Sequence, residues 1–256
     1  MSKNDTLRTA VRENLKGLRM AQMRVCFEEV AVQARKESLS YEQYLLELTH
    51  RETDARRIKR TERLLRESKL PLEKSLATFE RKRLPVRVNQ QLATLLEGAF
   101  LDRRENVLAF GTVGSGKSHM LCALAQELIQ KHGRRILFCK CALLVQELLA
   151  AKRDLKLAKV LKRLGKFEGM LIDDIGYVQQ GREEMEVLFT LLAERYERGS
   201  VLLTSNLPFS KWETIFKDAM TTAAAIDRLV HHSVILELNL PSYRMEQAKK
   251  RKAECH

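Results

Sequence analysis

The sequence predicts an α/β fold, a parallel five-stranded sheet covered by helices, preceded by a small all-helical N-terminal domain. Three observations lead there. Short apolar, β-rich runs alternate with helical stretches at Val107–Phe110, Arg135–Cys139, Met170–Asp173, Val201–Thr204 and Val234–Leu238. Strands separated by helices in this way argue for parallel pairing with both faces covered. Before residue 70 the apolar residues recur only at helical spacing. Pro71 and Pro85 then bracket LEKSLATFERKRL, a connector between the two regimes.

The elements follow in order. Met20, Met23, Phe27, Val30, Ala31 and Ala34 share one helical face. Ser40-Tyr41-Glu42-Gln43 reads as a capping box that opens a second helix, whose Tyr41, Tyr44, Leu45 and Leu48 share a face. That helix runs into RETDARRIKRTERLLR, residues 51–66, where seven basic residues stand against three acidic ones. The domains are therefore expected at 1–70 (helical), 71–89 (connector) and 90–256 (α/β). Gly133 after AQELIQKH and Gly199 after LLAERYER read as C-terminal caps of helices in the second domain.

Forty-six Lys and Arg against 33 Asp and Glu leave a formal charge of +13, which favours a polyanionic partner. No apolar stretch is long enough to span a bilayer, and MSKNDTLRTAVREN lacks the apolar core of a secretory signal. Five cysteines, Cys26, Cys122, Cys139, Cys141 and Cys255, form no CxxC pair. A soluble protein of the reducing cytoplasm, with cysteines as core fillers, is the expectation.

The chemistry concentrates at four places. Gly111-Thr112-Val113-Gly114-Ser115-Gly116-Lys117-Ser118 follows an apolar strand and opens a helix, the setting of a phosphate-binding loop. Glycines let backbone N–H groups close around a triphosphate, Lys117 reaches the outer phosphates, and Ser118 offers a hydroxyl to Mg²⁺. In GMLIDDIGY, residues 169–177, a buried strand ends in Asp173, placed to hold Mg²⁺ through water, and Asp174, placed to polarise an attacking water. An Asx turn at a strand end would leave the same pattern. VLLTSN places Asn206 on the same sheet edge to orient the lytic water, or to serve merely as a strand-to-loop cap. Arg228, ahead of the last strand, suits either a phosphoryl-neutralising arginine supplied across a subunit boundary or a salt bridge with Asp227.

Two basic clusters offer surfaces for a phosphate backbone: Arg56, Arg57, Lys59 and Arg60 in the first helical run, and Lys152, Arg153, Lys156, Lys159 and Arg163 in AKRDLKLAKVLKRLGK. In the latter, Lys152, Lys156, Lys159 and Arg163 fall at helical spacing, on one face of a single helix. A solvated helix face accounts for either cluster equally well.

With these pieces in order the sequence resembles the AAA+ ATPases and, within them, the IstB-like transposition helper proteins, relatives of DnaC-type helicase loaders. The resemblance runs through LKGLRMAQMRVCFEEV, LSYEQYLLELTHRETDARR, LPLEKSLATFE, GTVGSGKSH, IDDIGY, the TSN strand end and IDRLVHHSVILEL followed by PSYR. It implies an ATP- and Mg²⁺-dependent homo-oligomer, a ring or helix, that assembles on duplex DNA, remodels it and recruits or stimulates a transposase. It makes Gly111 through His119 the nucleotide cradle, Asp173 and Asp174 the Walker B acids, Asn206 the first sensor, Arg228 the trans-acting finger and Arg244 a second sensor. Asp174 departs from the Asp-Glu pair common in AAA+ proteins, which implies slow hydrolysis. A helicase loader sharing the same core is one alternative. The other is an architectural DNA-binding protein with a vestigial pocket.

Overall fold

The computed structural model describes residues 3–175, 181–212, 219–243, 245 and 246, and divides the chain into two units, Met1–Arg63 and Leu64–His256. The first is helical, built from α1 (Lys3–Gly17), α2 (Ala21–Lys36) and α3 (Tyr41–Ser68), the last of which contains the division point. Its core is small: Met23, Cys26, Phe27, Val30 and Leu48, flanked by Val11, Leu15, Met20 and Tyr44. The expected capping box forms, with Gln43 N–H donating to Ser40 Oγ at 3.2 Å and Ser40 N–H to Gln43 Oε1 at 2.8 Å. The expected shared face does not close. Leu48 is buried, whereas Tyr41 and Leu45 are exposed, because this core covers only the Tyr44 and Leu48 side of α3.

Helix α2 has no side-chain cap of its own at Met20. Glu52 of α3 supplies one, accepting the Gln22 and Met23 N–H groups at 2.7 and 3.0 Å. Burial raises the pKa of this carboxyl, but the two amides and Arg56, 2.8 Å away, outweigh it and hold it below the usual carboxylate range. A charge is thereby placed at the positive end of a helix dipole.

The second unit is a five-stranded parallel sheet in the order β2-β3-β4-β1-β5, from β1 (Asn106–Gly111), β2 (Ile136–Lys140), β3 (Gly169–Asp173), β4 (Ser200–Ser205) and β5 (Ser233–Leu238). Strand alternation sends side chains to two separate cores. Leu108, Met170, Ile172 and Leu203 pack with α7 (Cys141–Arg153), α8 (Leu157–Leu164), α9 (Arg182–Arg195) and α10 (Ala219–Val230). Val107, Ala109, Leu171 and Leu202 pack with α4 (Val86–Leu95), α5 (Ala99–Asp102) and α6 (Lys117–His132). Such two-sided burial explains why every central strand reads as a continuous apolar run.

Residues 71–89, expected as a connector, are packed into this unit. Leu84 and Val88 are buried with the α6-side core, and Gln126 of α6 donates to Pro71 O and Lys74 O at 3.1 and 2.9 Å. Gly133 caps α6 in the left-handed conformation, as expected. Gly199 does not cap α9. That helix ends at Arg195, and Glu197 takes the positive φ of 57°. A Cβ on Gly199 would lie 2.4 Å from Arg195 Nη2, so glycine there makes room for a buried guanidinium that donates to the carbonyls of Leu164, Phe167, Glu168 and Ser200. Burial pulls the Arg195 pKa down to about 10. The single basic helix expected over 151–166 is also broken: α7 stops at Arg153, Leu155 turns with φ 57°, and α8 restarts at Leu157. Among the described residues no helix is long and apolar enough to cross a membrane.

Candidate functional site

The loop after β1 is shaped by three glycines with positive φ: Gly111 (147°), Gly114 (82°) and Gly116 (97°). At two of them an added side chain would collide with a neighbour. A Cβ on Gly111 would lie 2.1 Å from Leu238 O, and one on Gly114 2.2 Å from Ser242 Oγ. The loop is pinned from the far end of the chain, where Thr112 Oγ1 donates to Leu240 O at 2.8 Å and Tyr243 N–H donates to Gly114 O at 3.0 Å. Lys117, the first residue of α6, is 6% exposed, and its ammonium donates to Gly111 O and Thr112 O at 2.9 and 2.7 Å. A buried cation thus sits beside a helix N-terminus whose amides point outward, the arrangement that receives an anion.

Strand register brings the acids to the same edge. Leu108 lies opposite Leu203, and Leu203 opposite Ile172, so Asp173 comes level with Thr204 and Ala109, one residue before the cradle strand reaches Phe110. Asp173 is buried, and its Oδ1 accepts the Thr204 hydroxyl at 2.7 Å. The same Thr204 oxygen accepts Asp174 N–H at 2.8 Å, holding Asp174 at a φ of 63°. Two further polar atoms at this edge, Ser115 Oγ and Asn206 Oδ1, are buried and make no hydrogen bond.

A cleft of about 470 Å³ opens at this edge. Every residue from Val113 to His119 contributes, with Asp174 and Asn206; Gly111 and Thr112 act through their carbonyls on Lys117, and the buried Asp173 does not line the cleft. His119 faces the connector, its Nε2 within 3.1 Å of Thr78 Oγ1 and of Ser75 O and its ring 5.2 Å from Phe79. The opposite wall joins two distant segments. Tyr243 OH donates to Glu80 at 3.2 Å, while Arg83 donates to Glu246 at 2.8 Å and stacks 5.0 Å over the Tyr243 ring. Burial raises the Cys122 thiol of α6 to about 12 and Cys139 to about 11, so both are un-ionised near neutrality. Cys255 and Arg244 lie outside the described residues.

Against known proteins, the IstB-like ATP binding protein family matches residues 13–253. The chain belongs to that family. It is 37% identical to an insertion-sequence ATP-binding protein of Sinorhizobium fredii, over 93% of this chain and 80% of that one. It is 34% identical to the IS21 insertion-sequence ATP-binding protein of Pseudomonas aeruginosa, over 92% and 89%. Among solved structures, the DnaC helicase loader superposes with a TM-score of 0.54 at 18% identity, covering 64% of this chain and 96% of the loader. Domain III of the Thermotoga maritima replication initiation protein DnaA gives 0.55 at 18%, covering 72% and 74%. The shared fold is that of the AAA+ ATPases.

In this IstB-like chain Arg228 is placed apart from the cleft. Asn106, at the start of β1, donates through Nδ2 to Leu229 O at 3.0 Å, so the end of α10 lies at the N-terminal edge of the sheet, while the cradle lies at the C-terminal edge. The guanidinium stacks 4.6 Å over Phe189 instead of pairing with Asp227, and its Nη1 is buried without a hydrogen bond.

The two basic clusters differ in how their charges are engaged. Arg56 is tied to Glu52 and to Arg19 O, and Arg57 to Asp54 at 3.3 Å. Lys59 and Arg60 continue along the exposed side of α3. In the second cluster Lys152 pairs with Glu186, Arg153 with Glu183, Lys156 with Asp154 and Arg163 with Glu147. Lys159 is exposed on α8.

Two features of the cleft escaped the sequence. Thr204 was visible only as the T of TSN. The Glu80–Tyr243 and Arg83–Glu246 contacts join positions each 163 residues apart, with no local signal beyond the aromatic in PSYR.

Proposed function

We propose that the chain is an ATP-dependent, DNA-binding regulator of DNA transposition. It binds ATP with Mg²⁺ in the cleft, oligomerises on duplex DNA, remodels it, and recruits or stimulates its transposase; hydrolysis then drives disassembly. The observation that carries this reading is the buried Lys117 ammonium, held over its own loop carbonyls at the start of α6. A triphosphate competes well for that cation, because its oxygens carry full charge where the carbonyls carry only dipoles.

The residues present fit the ligand. Gly111 through His119 supply the cradle, and the orphaned Ser115 Oγ in the loop can be satisfied by a phosphate. Ser118 and Asp173 would hold Mg²⁺, which is bound by few carboxylates plus phosphate oxygens and water; among the described residues no group of three His, Cys, Asp or Glu side chains could hold a metal by itself. Asp174 polarises the attacking water, Asn206 orients it, and Arg228 belongs to the site of the neighbouring subunit. The metal with its phosphates supplies charge neutralisation for phosphoryl transfer; the chain's own groups position the reactants. The +13 charge and both basic clusters support a polyanionic partner. The names of the relatives, insertion-sequence proteins, support transposition as the setting.

Electron microscopy of the protein with duplex DNA, with and without ATP, tests this. Ordered assemblies should form on DNA only with ATP, and Lys117→Ala should abolish them. Assemblies indifferent to both nucleotide and Lys117 would instead mark a DNA-binding scaffold with a vestigial pocket.

A further inference from the structure

Helix α7 ends in a complete Schellman motif. Leu155 N–H donates to Lys152 O at 3.1 Å and Lys156 N–H to Ala151 O at 2.7 Å. The left-handed position of this motif favours glycine, because a Cβ crowds the backbone there. Gly133 occupies the corresponding position at the end of α6. Here the residue is leucine, with φ 57°. The other non-glycine residues with positive φ among those described are Arg19, Ser38, Lys69, Arg104, Asp174 and Glu197, so Leu155 is the apolar one. Its side chain is 94% exposed, and no core packing offsets the backbone cost.

What surrounds this leucine is cationic. Lys152 and Arg153 precede it, Lys156 follows, and Lys159 stands in the first turn of α8. Across Ala151–Lys166 seven Lys and Arg accompany Asp154, with Glu147, Glu183 and Glu186 reaching in from α7 and α9. The Lys152–Glu186, Arg153–Glu183 and Lys156–Asp154 pairs, at 2.9, 3.8 and 3.2 Å, are solvent-exposed and weak, so phosphate oxygens can displace the carboxylates.

We propose that Leu155 is an apolar wedge that enters duplex DNA between base steps, while the lysines and Arg153 around it hold the flanking phosphates. This rests on the DNA-binding reading above and extends it to how DNA would be deformed. Proteins that kink DNA insert such a side chain and recover the unstacking cost through the protein surface that the bent duplex then reaches. The Schellman turn suits the role. It holds the Leu155 backbone in the left-handed conformation, and the exposed side chain packs on no core.

The test uses the full chain with ATP and two duplexes, one carrying a donor and acceptor at its ends and one carrying 2-aminopurine. Wild type should shorten the end-to-end distance and brighten the 2-aminopurine. Leu155→Gly should raise the thermal midpoint, because it relieves the left-handed strain, yet lose both DNA signals. Its slope of log K against log salt should stay unchanged, since no phosphate contact is removed. Leu155→Phe should retain the bend. The opposed signs, a more stable protein with a straighter duplex, separate the wedge from a structural role. Bending and unstacking equal to wild type in Leu155→Gly would overturn the wedge alone. So would a loss of assembly by that variant without DNA, which would mark Leu155 as a contact between copies. Failure of the wild type to bind duplex would overturn the DNA reading together with it.

Discussion

The Thr204 hydroxyl donates to Asp173 Oδ1 at 2.7 Å and in the same geometry accepts the Asp174 N–H at 2.8 Å. One oxygen on β4 therefore sets the orientation of both acids at the end of β3. A carboxylate only accepts, so the hydroxyl proton must point to Asp173, which leaves its lone pairs for the amide. The second oxygen of Asp173 takes no part in this contact, and Asp174, held in a left-handed conformation, lines the cleft.

Thr204→Val keeps the shape and the β-branching but removes this pivot. A hydrogen bond to a charged group contributes about 1.5–3 kcal/mol, so ATP turnover should fall roughly 10- to 100-fold. Affinity for ATP without Mg²⁺ should change little, because Lys117 and the cradle are untouched. Steady-state turnover and a fluorescent-nucleotide titration on the same preparation check both parts. A turnover within twofold of wild type would show that Thr204 is a packing residue only.

The helical unit offers a pH test. Glu52 caps α2 as a carboxylate whose pKa is held below that of the unfolded chain. Its contribution is therefore fully present above the unfolded carboxylate range and is lost as pH falls through the folded value. Glu52→Gln removes the charge while keeping an acceptor. Hydrogen exchange of the α2 amides, corrected for intrinsic rates, should be about tenfold faster in the variant at pH 7. The difference should shrink toward zero as the wild-type carboxyl protonates in acid. A gap that is constant with pH would mean that shape, not charge, makes the cap.

Much of this was legible before the structure because it is written locally. The five strands announce themselves as apolar runs, and the loop from Gly111 to Ser118 places glycine at each of its three positive-φ positions. Ser40 and Gln43 are three residues apart and cap each other as their spacing suggests. The rest depends on distant partners. Gly199 looked like a helix cap, yet its smallness serves Arg195, whose burial no local pattern reveals. The basic run from Ala151 to Lys166 kept its helical spacing on paper, but the Leu155 turn splits it. The connector at 71–89 looked like a linker because Pro71 and Pro85 bracket it, while its Leu84 and Val88 answer to a core built by β1 and α6.

Arg228 supplies the test of whether two subunits share one site. It stands at the opposite sheet edge from its own cradle, and a six-residue strand separates the two by roughly 17 Å, beyond the reach of any side chain. Its guanidinium is parked on Phe189, with a buried Nη1 that has no acceptor. If that group neutralises a phosphoryl group, the phosphoryl group belongs to a neighbour. Arg228→Ala should then lower turnover by about 10³-fold while leaving the nucleotide affinity of dilute subunits intact. Mixing decides between cis and trans action. Arg228→Ala and Asp174→Asn should each be nearly inactive alone, but in a mixed assembly the intact Arg228 of one would meet the intact Asp174 of the other. At equal amounts about a quarter of the head-to-tail interfaces combine the two, and activity should return in that proportion. An equimolar mixture no more active than its components would place Arg228 in a structural role at the end of α10.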